Sequence, residues 1–364
     1  MSGQGSGWFQ RYLLPGFAFK AVVIGGGYAT GRELAEFFLP SGPWGGLAGM
    51  VLATVVWSVA CAVTFAFALK VGAYDYRAFF RALLGPGWIA FEVAYLLFVI
   101  LILAVFGAAA GAIGAATFGV PPIVGTLALA GAIAAFAGFG NTSVERLFKW
   151  VTFLLYGVYA LFLVLALLRF GDAIPAGFAR SGPSDGWALG GLTYASYNVV
   201  GAVVILPALR HLSRPREAVL AGLVAGPLAM APAILFFACM AAFHPGIAAE
   251  TLPSDVMLRA LGAPWFQLLF QLMIFAALLE SGTGAVHAVN ERVAAAWRAR
   301  RGRDLSHGAR AGLAAGLLVG CMIVADRFGL VALIGGGYRV LAWTIFAIYL
   351  VPLMTVGMWR LLRR

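Results

Sequence analysis

Three consecutive glycines, Gly25, Gly26 and Gly27, interrupt an apolar run that extends from Leu13 to Leu39. The run is long enough to cross a lipid bilayer, which takes roughly 20 apolar residues. Each glycine in a helix interior costs about 1 kcal/mol relative to alanine, so three together favour a break. Backbone groups freed at that depth are tolerated only when they are buried in protein or line a watery cavity. The sequence therefore predicts a transmembrane helix that is broken near its middle, with exposed backbone groups that face a ligand.

Three ionisable residues, Arg32, Glu33 and Glu36, follow the glycines at once. Charged side chains within the hydrocarbon are costly and usually functional, which favours the same interpretation. The alternative is that the glycines only let neighbouring helices pack closely. A dinucleotide-binding glycine loop does not fit, because no strand precedes the stretch and no βαβ unit surrounds it.

The rest of the chain is equally apolar. Of its 364 residues, 62% are hydrophobic and 11% are charged, and the mean hydropathy is +0.94. Such a composition is that of a polytopic membrane protein. The net charge of +11 does not indicate nucleic-acid binding, because the basic residues fall in short loops between apolar runs. Cys61, Cys239 and Cys321 lie singly in apolar runs, and we expect buried thiols rather than a metal site or disulfides.

The apolar runs predict ten membrane spans in one domain that covers residues 1–364. The spans are Leu13–Leu39 and about Trp44–Leu69, Trp88–Phe118, Ile123–Phe139, Val144–Leu168, Trp187–Leu209, Ala218–Phe243, Trp265–Trp297, Ala309–Ala325 and Leu330–Leu362. The segment Tyr74–Leu84 is predicted to lie at the interface, and the loop His244–Leu261 has room for a short helix.

The distribution of basic residues predicts the orientation. Most of the 25 Lys and Arg residues fall in ends and loops that ten spans would place on one side. The positive-inside rule then puts both termini in the cytoplasm. The expected location is the cytoplasmic (inner) membrane, with the lipid bilayer as the surrounding partner.

Ten spans divide into two sets of five, about residues 12–169 and 186–362. An odd number per set gives the sets opposite topology, which is typical of transporters with inverted repeats. Corresponding interruptions in the two sets point to a binding site at mid-membrane. The sixth span, the counterpart of the broken first, is dense in polar residues and glycine: Thr193, Tyr194, Ser196, Tyr197, Asn198 and Gly201. Hydrogen bonds between helices are the alternative explanation for this density. We therefore expect an all-α polytopic protein in which helices one and six are broken.

The stretch Gly25–Phe38, GGGYATGRELAEFF, resembles the GAGFATGQE-type motif of the YkvI family of bacterial membrane proteins. The pair Tyr197-Asn198 and the stretch 329–338 are also similar to that family, and the resemblance covers the whole length. The family is itself similar to the amino acid/polyamine/organocation superfamily, which has the LeuT-type fold. The resemblance implies that fold here, as a 5+5 inverted repeat, and implies no particular substrate.

The break predicts a binding site for a small polar solute. Backbone N–H groups near Thr30 favour a carboxylate, and free carbonyls around Ile24 favour a cation. Glu33 or Glu36, if either faces the cavity, favours an amine; the alternative for Glu33 is an ion pair with Arg32 or Arg339. The charge of the substrate stays open at this point. The predicted substrate-binding residues are Gly25, Gly26, Gly27, Tyr28, Ala29, Thr30, Gly31, Glu33, Tyr194, Ser196, Tyr197, Asn198 and Gly201.

The predicted coupling ion is H⁺ or Na⁺. Glu280 lies well inside the eighth span, where a charge costs about 2.5–3.5 kcal/mol, and is the foremost candidate for carrying a proton. In LeuT-type sodium transporters, to which the resemblance points, Na⁺ binds to the backbone of helix one and to two hydroxyls of helix eight. Ile24 and Thr283 would supply such ligands here, with Ser281 nearby, although the expected adjacent pair of hydroxyls is missing. Lys149 resembles a lysine that replaces this sodium in proton-coupled relatives; alternatively, it extends to the cytoplasmic interface.

Two functions from different classes fit these residues. One is a secondary active transporter that moves an amino acid, or a related amine or zwitterion, by alternating access. The other is a membrane receptor or sensor that binds a small molecule in the same site without moving it. An enzyme is not expected, because the chain lacks an HExxH motif, a GxSxG motif in context and a nucleophile with a partner. No cofactor besides the coupling ion and no protein or nucleic-acid partner is predicted.

Overall fold

The structure is a computed structural model of the chain. It describes residues 7–138, 141–180 and 185–363, without the side chains of residue 26 and residues 137–152. Every regular element in these ranges is helical. The helices are α1 (Trp8–Tyr12), α2 (Leu14–Val23), α3 (Gly26–Ala29), α4 (Arg32–Phe37), α5 (Gly42–Val71), α6 (Tyr76–Leu84), α7 (Trp88–Phe118), α8 (Pro122–Gly138), α9 (Asn141–Phe170), α10 (Ile174–Ala179), α11 (Trp187–Asn198), α12 (Val200–Val204), α13 (Pro215–Ala241), α14 (Pro253–Leu261), α15 (Pro264–Arg301), α16 (His307–Ala332), α17 (Tyr338–Ile345) and α18 (Met358–Leu362). Short 3₁₀ or π-helical segments adjoin them at Leu39–Ser41, Gly85–Gly87, Gly171–Ala173, Leu206–His211, Gly246–Ala249, Leu333–Gly337, Phe346–Leu350 and Leu353–Gly357.

Six helical stretches among the described residues are long and apolar enough to cross a membrane. They are Leu39–Val71, Tyr76–Phe118, Phe153–Ala179, Pro215–Ala241, Pro264–Arg301 and His307–Leu362. The third predicted span coincides with α7 at both ends. The second, seventh and eighth predicted spans fall on the long helices α5, α13 and α15, whereas others fall on shorter or interrupted helices, such as α8 with 17 residues. The count of ten spans and the inverted repeat therefore stay predictions.

A glycine separates the last two predicted spans. α16 is kinked at Gly329, whose φ of 71° and ψ of 170° are not helical. Glycine adopts such a conformation without the steric penalty that a Cβ atom brings. The predicted tenth span begins at the next residue, Leu330. The two short predicted segments are also helical: α6 forms the interfacial segment, and α14 lies in the loop after α13.

Close packing of small residues holds α13 against α5. A Cβ atom on Gly222 would lie 2.3 Å from the backbone N and Cα atoms of Ala62. Since lipid tails provide no hydrophobic driving force between helices, tight van der Waals contact of this kind stabilises membrane bundles. On the same helix α5, Trp57 donates its indole N–H to the carbonyl of Ala195 (3.1 Å). α5 therefore positions both α13 and α11, the helix that carries the polar residues of the sixth predicted span.

The two ends of the bundle differ. Arg11 donates to Glu217 Oε1 at the start of α13 (3.3 Å), and Lys70 Nζ donates to the carbonyls of Arg360 (2.8 Å) and Arg363 (2.6 Å). Through these contacts, residues near both ends of the described chain bond to the start of α13 and to the end of α5. We call this end of the bundle the terminal end. The opposite end carries residues 246–250 and is called the loop end.

Candidate functional site

The predicted break in the first span occurs at Ile24 and Gly25. α2 ends at Val23, and Ile24 has a ψ of 83°, which is not helical. The chain turns again at Gly31, whose φ of 78° is favoured by glycine, and α4 begins at Arg32. Only the one-turn helix α3 lies between the two turns. The glycine run thus breaks the helix where the sequence predicts it.

The sixth predicted span is less interrupted than expected. α11 ends at Asn198 and α12 begins at Val200, but Val199 between them keeps helical dihedral angles of −60° and −19°. Its N–H still donates to the carbonyl of Ala195 (3.0 Å). Two of the polar side chains bond back along their own helix, since Ser196 Oγ donates to the carbonyl of Leu192 (2.6 Å) and Asn198 Nδ2 donates to that of Tyr194 (3.1 Å). The polar residues therefore lie on a nearly continuous helix.

Glu33 occupies the break in the first span. Its side chain, in the first turn of α4, is buried (4% exposed), and its Oε2 accepts a hydrogen bond from the Tyr197 hydroxyl (2.8 Å). It folds back against Gly27, where a Cβ atom would lie 2.2 Å from Glu33 Oε1. Glycine at this position leaves the space that the carboxyl group fills. The first and sixth predicted spans are thus joined through a buried acid.

A cavity of about 420 Å³ lies beside the break. Small-molecule sites usually have volumes of about 300–1,000 Å³. Glu33 and Glu280 line it, as do the polar side chains of Asn198 and Ser281. Its other walls are apolar or aromatic, and the aromatic residues are Tyr95, Phe98, Phe106, Tyr197 and Tyr338. The cavity thus combines two acids with several aromatic faces.

A second, much smaller cavity of about 60 Å³ lies on the other side of Glu280. Ile24 and Ser281 line it together with Tyr156. Glu280 is half-buried, and it has no hydrogen-bond or ion-pair partner among the side chains that the structure describes. Thr283 lines neither of these two cavities. Its hydroxyl donates to the carbonyl of Leu279 in its own helix (2.7 Å). Glu280 and Ser281, rather than Thr283, therefore lie next to the break.

An ion-pair network closes the loop end. Arg32 donates to the carbonyls of Ala248 (3.0 Å) and Glu250 (2.8 Å) and to Glu36 Oε2 (2.8 Å). Arg339 approaches the other oxygen of Glu36 at 3.6 Å. Glu36, and not Glu33, is therefore the acid that pairs with these arginines. The network ties α4 to residues 246–250 and to α17.

The terminal end is closed less tightly. A cavity of about 150 Å³ adjoins the large one there, and Tyr95 and Val204 line both. The guanidinium group of Arg292 lies over the rings of Tyr95 (3.9 Å) and Tyr76 (4.2 Å). A stack of one arginine on two tyrosines thus narrows the path from the large cavity to the terminal end.

The structure brings only part of the predicted substrate site together. The predicted residues that line the large cavity are Gly25, Glu33, Tyr197, Asn198 and Gly201. Seven others do not line this cavity: Gly27, Tyr28, Ala29, Thr30 and Gly31 lie within the break, and Tyr194 and Ser196 lie on α11. Tyr28 and Tyr194, predicted to bind the substrate, are fully buried in the surrounding helices instead. Gly26 begins α3.

The predicted ion-coupling residues divide similarly. Glu280 and Ser281 line both the large and the small cavity, and Ile24 lines the small one. The side chain of Lys149 lies outside the described residues.

Sequence reasoning missed the aromatic wall of the large cavity. Tyr95, Phe98 and Phe106 lie on α7. Apart from Glu92 near its start, the sequence of this helix is almost uniformly apolar, so it does not indicate which face lines a cavity. Tyr338 is the exception, since it falls in a stretch that resembles the YkvI family. Its ring packs on that of Tyr197 with a centroid distance of 4.7 Å.

The sequence matches no protein-family model and no curated protein. Solved structures, in contrast, match nearly the whole chain. MhsT in complex with L-phenylalanine is 18% identical with a TM-score of 0.55, over 98% of this chain and 89% of that one. A substrate-bound, outward-open Na⁺-coupled sialic acid symporter is 11% identical with a TM-score of 0.63, over 94% and 79%. The manganese transporter of Eremococcus coleocola is 14% identical with a TM-score of 0.51, over 98% and 88%.

These similarities show the class of fold: the chain is a polytopic helical membrane protein with the LeuT-type fold. At such low identities they show the fold alone. The resemblance to the YkvI family in particular has no support from these comparisons and stays a prediction.

Proposed function

We propose that this chain is a secondary active transporter that moves a small polar solute, an amino acid or a related amine or zwitterion, by alternating access. The observation that carries the proposal is the cavity beside the broken helix. The Arg32–Glu36–Arg339 network closes the loop end, and the cavity of about 150 Å³ adjoins the large cavity at the terminal end. In each of its two main states, an alternating-access transporter has a central site that is closed firmly toward one side of the membrane and less firmly toward the other. The solved structures of this fold, described by their names as transporters and symporters, support the same proposal.

We further propose that the termini face the cytoplasm of the cytoplasmic (inner) membrane. The terminal end carries the clustered Lys and Arg residues, and the positive-inside rule favours this orientation. The state described here would then be closed to the outside and nearly open to the cytoplasm.

The coupling ion is proposed to be H⁺ or Na⁺, bound at the small cavity beside Ile24. Glu280 and Ser281 offer oxygen atoms there, and an acid that has no partner among the described side chains is suited to bind either ion. A sodium gradient and a proton gradient, imposed separately, distinguish the two.

Flux into proteoliposomes tests the transporter. Purified protein is reconstituted, loaded with unlabelled leucine or isoamylamine, and assayed for uptake of the labelled compound by exchange. Gly26→Leu should abolish exchange while the protein still inserts, because leucine in the glycine run favours a continuous helix across the break. Gly320→Leu is the matched control, since nothing lies within 4 Å of a Cβ atom at Gly320. Exchange by Gly26→Leu at the wild-type rate would contradict the proposal. Binding without flux in the wild-type protein would favour the receptor instead.

A further inference from the structure

The charges around the large cavity are of one sign. Glu33 and Glu280 line it, and no Lys, Arg or His side chain is among its lining residues in the described part of the chain. Glu280 has no partner there, and the hydrogen bond that Glu33 accepts comes from a neutral hydroxyl. A substrate carboxylate entering this cavity would thus meet two acids and no cationic side chain among the described lining residues. A cationic group would instead meet two acids that no described lining side chain neutralises.

The break itself offers little room for a carboxylate of the substrate. The carboxyl group of Glu33 already lies against Gly27, with Oε1 2.2 Å from the position of a Cβ atom. The chain therefore supplies its own acid at the place where exposed backbone groups would otherwise favour an anion. A zwitterion would have to displace this acid and its bond to Tyr197.

The aromatic walls favour the same ligand charge. The faces of tyrosine and phenylalanine rings attract cations through their quadrupoles. Tyr197 and Tyr338 pack together next to Glu33, and Phe106 reaches to within 3.7 Å of the Cβ position of Gly25. Tyr95 already accepts one cation, the guanidinium group of Arg292, at 3.9 Å. Acids combined with aromatic faces are typical of sites that bind organic ammonium groups.

We propose that the substrate of this site is an organic amine cation that carries no carboxylate, held between Glu33 and Glu280 against the aromatic wall. This inference rests on the proposed function and narrows its substrate class from amino acids, amines and zwitterions to amines. Glu33 binds the ammonium group at the break. Glu280, on the side of the small cavity, further stabilises the positive charge of the same group.

Two sets of compounds, matched in shape and different in charge, test the proposal. Each set has a cation, a zwitterion and an anion on the same carbon skeleton: isoamylamine, leucine and isocaproate; phenethylamine, phenylalanine and hydrocinnamate. Full-length protein in detergent is titrated with each compound, and affinity is measured from the thermal shift. At least one amine should bind at least about tenfold more tightly than its zwitterion and anion, a difference that corresponds to one ion pair of modest strength.

Isosteric variants then locate the charge. Glu280→Gln and Glu33→Gln should each weaken amine binding by about tenfold or more. Asp326→Asn is the control, since Asp326 is an exposed acid outside the cavity. Gel filtration shows whether each variant is folded. Glu33 is buried and hydrogen-bonded, so Glu33→Gln can disturb folding. Glu280 is half-buried and has no partner among the described side chains, so Glu280→Gln tests the proposal even if Glu33→Gln does not fold.

The outcomes separate this inference from the proposed function. Amine binding that both Gln variants weaken supports the inference, whether or not flux is seen; absence of flux would then count against transport alone. Tighter binding and flux of the zwitterions would overturn the inference and leave the transporter standing. Failure of both amines to stabilise the protein would also overturn it, as would amine binding that Glu280→Gln leaves unchanged.

Discussion

Gly27→Ala is the smallest change that should disturb the site. The added methyl group would lie 2.2 Å from Glu33 Oε1 and 2.8 Å from its Cγ and Cδ atoms. Ordinary contacts between such atoms are about 3.5–4.0 Å long, so the Glu33 side chain must move by more than an ångström. A move of that size breaks its 2.8 Å hydrogen bond with Tyr197. The variant therefore removes the acid from its place in the cavity without changing any charge.

The size of the effect follows from the contact that is lost. A hydrogen bond to a charged group contributes about 1.5–3 kcal/mol. If the ammonium group of the substrate loses a partner of that strength, amine affinity should fall about 10- to 150-fold. The assay is the thermal-shift titration with isoamylamine and phenethylamine, followed by exchange in proteoliposomes. Gly320→Ala, which adds a methyl group where nothing lies within 4 Å, is the control.

A double-mutant cycle shows whether the methyl group acts through Glu33. In a Glu33→Ala background the clash is absent, so Gly27→Ala should cost little more. Unchanged amine affinity in folded Gly27→Ala protein would refute the reasoning. An equal loss in both backgrounds would also refute it, because the methyl group would then act on the backbone rather than on the acid.

Two further predictions concern opening and stability. Arg292→Ala removes the stack on two tyrosines at the terminal end, and this stack contributes about 0.5–2 kcal/mol. The cavity is read out with a cysteine introduced by Ala288→Cys, since Ala288 lines it. Without the stack, this cysteine should be alkylated about 2- to 30-fold faster. An unchanged rate would mean that the stack does not limit access. The three native cysteines are buried, and alkylation of the protein without Ala288→Cys measures their background reaction. Gly222→Val places a side chain 2.3 Å from the backbone of Ala62, so overpacking of about 1–3 kcal/mol should lower the midpoint of thermal denaturation. Gly320→Val, which meets nothing, should leave the midpoint nearly unchanged, and equal midpoints for the two variants would contradict the packing argument.

Most helix boundaries were predictable from the sequence because they depend on local composition. α7 begins at Trp88 and ends at Phe118, as the apolar run indicates. The boundary at Leu330 follows a glycine whose backbone angles no other residue adopts easily. The break at Gly25 is of the same kind, since consecutive glycines weaken a helix wherever it lies. The polar sixth span was overestimated as a break, because Ser196 and Asn198 bond back along the helix and the backbone at Val199 stays helical.

The site depends on contacts that no local pattern contains. Glu33 and Glu36 lie three residues apart on the same short helix, so the sequence left both able to face the cavity or to pair with arginine. Tertiary structure decided between them, because Tyr197, 164 residues further along the chain, meets Glu33, while Arg339 meets Glu36. By itself the sequence determined that the chain is apolar, helical and broken at Gly25. Only the packing of distant helices determined which acid lies in the cavity and which aromatic rings surround it, since side-chain neighbours in a membrane bundle are chosen by close fit between helices and not by the hydropathy of any one of them.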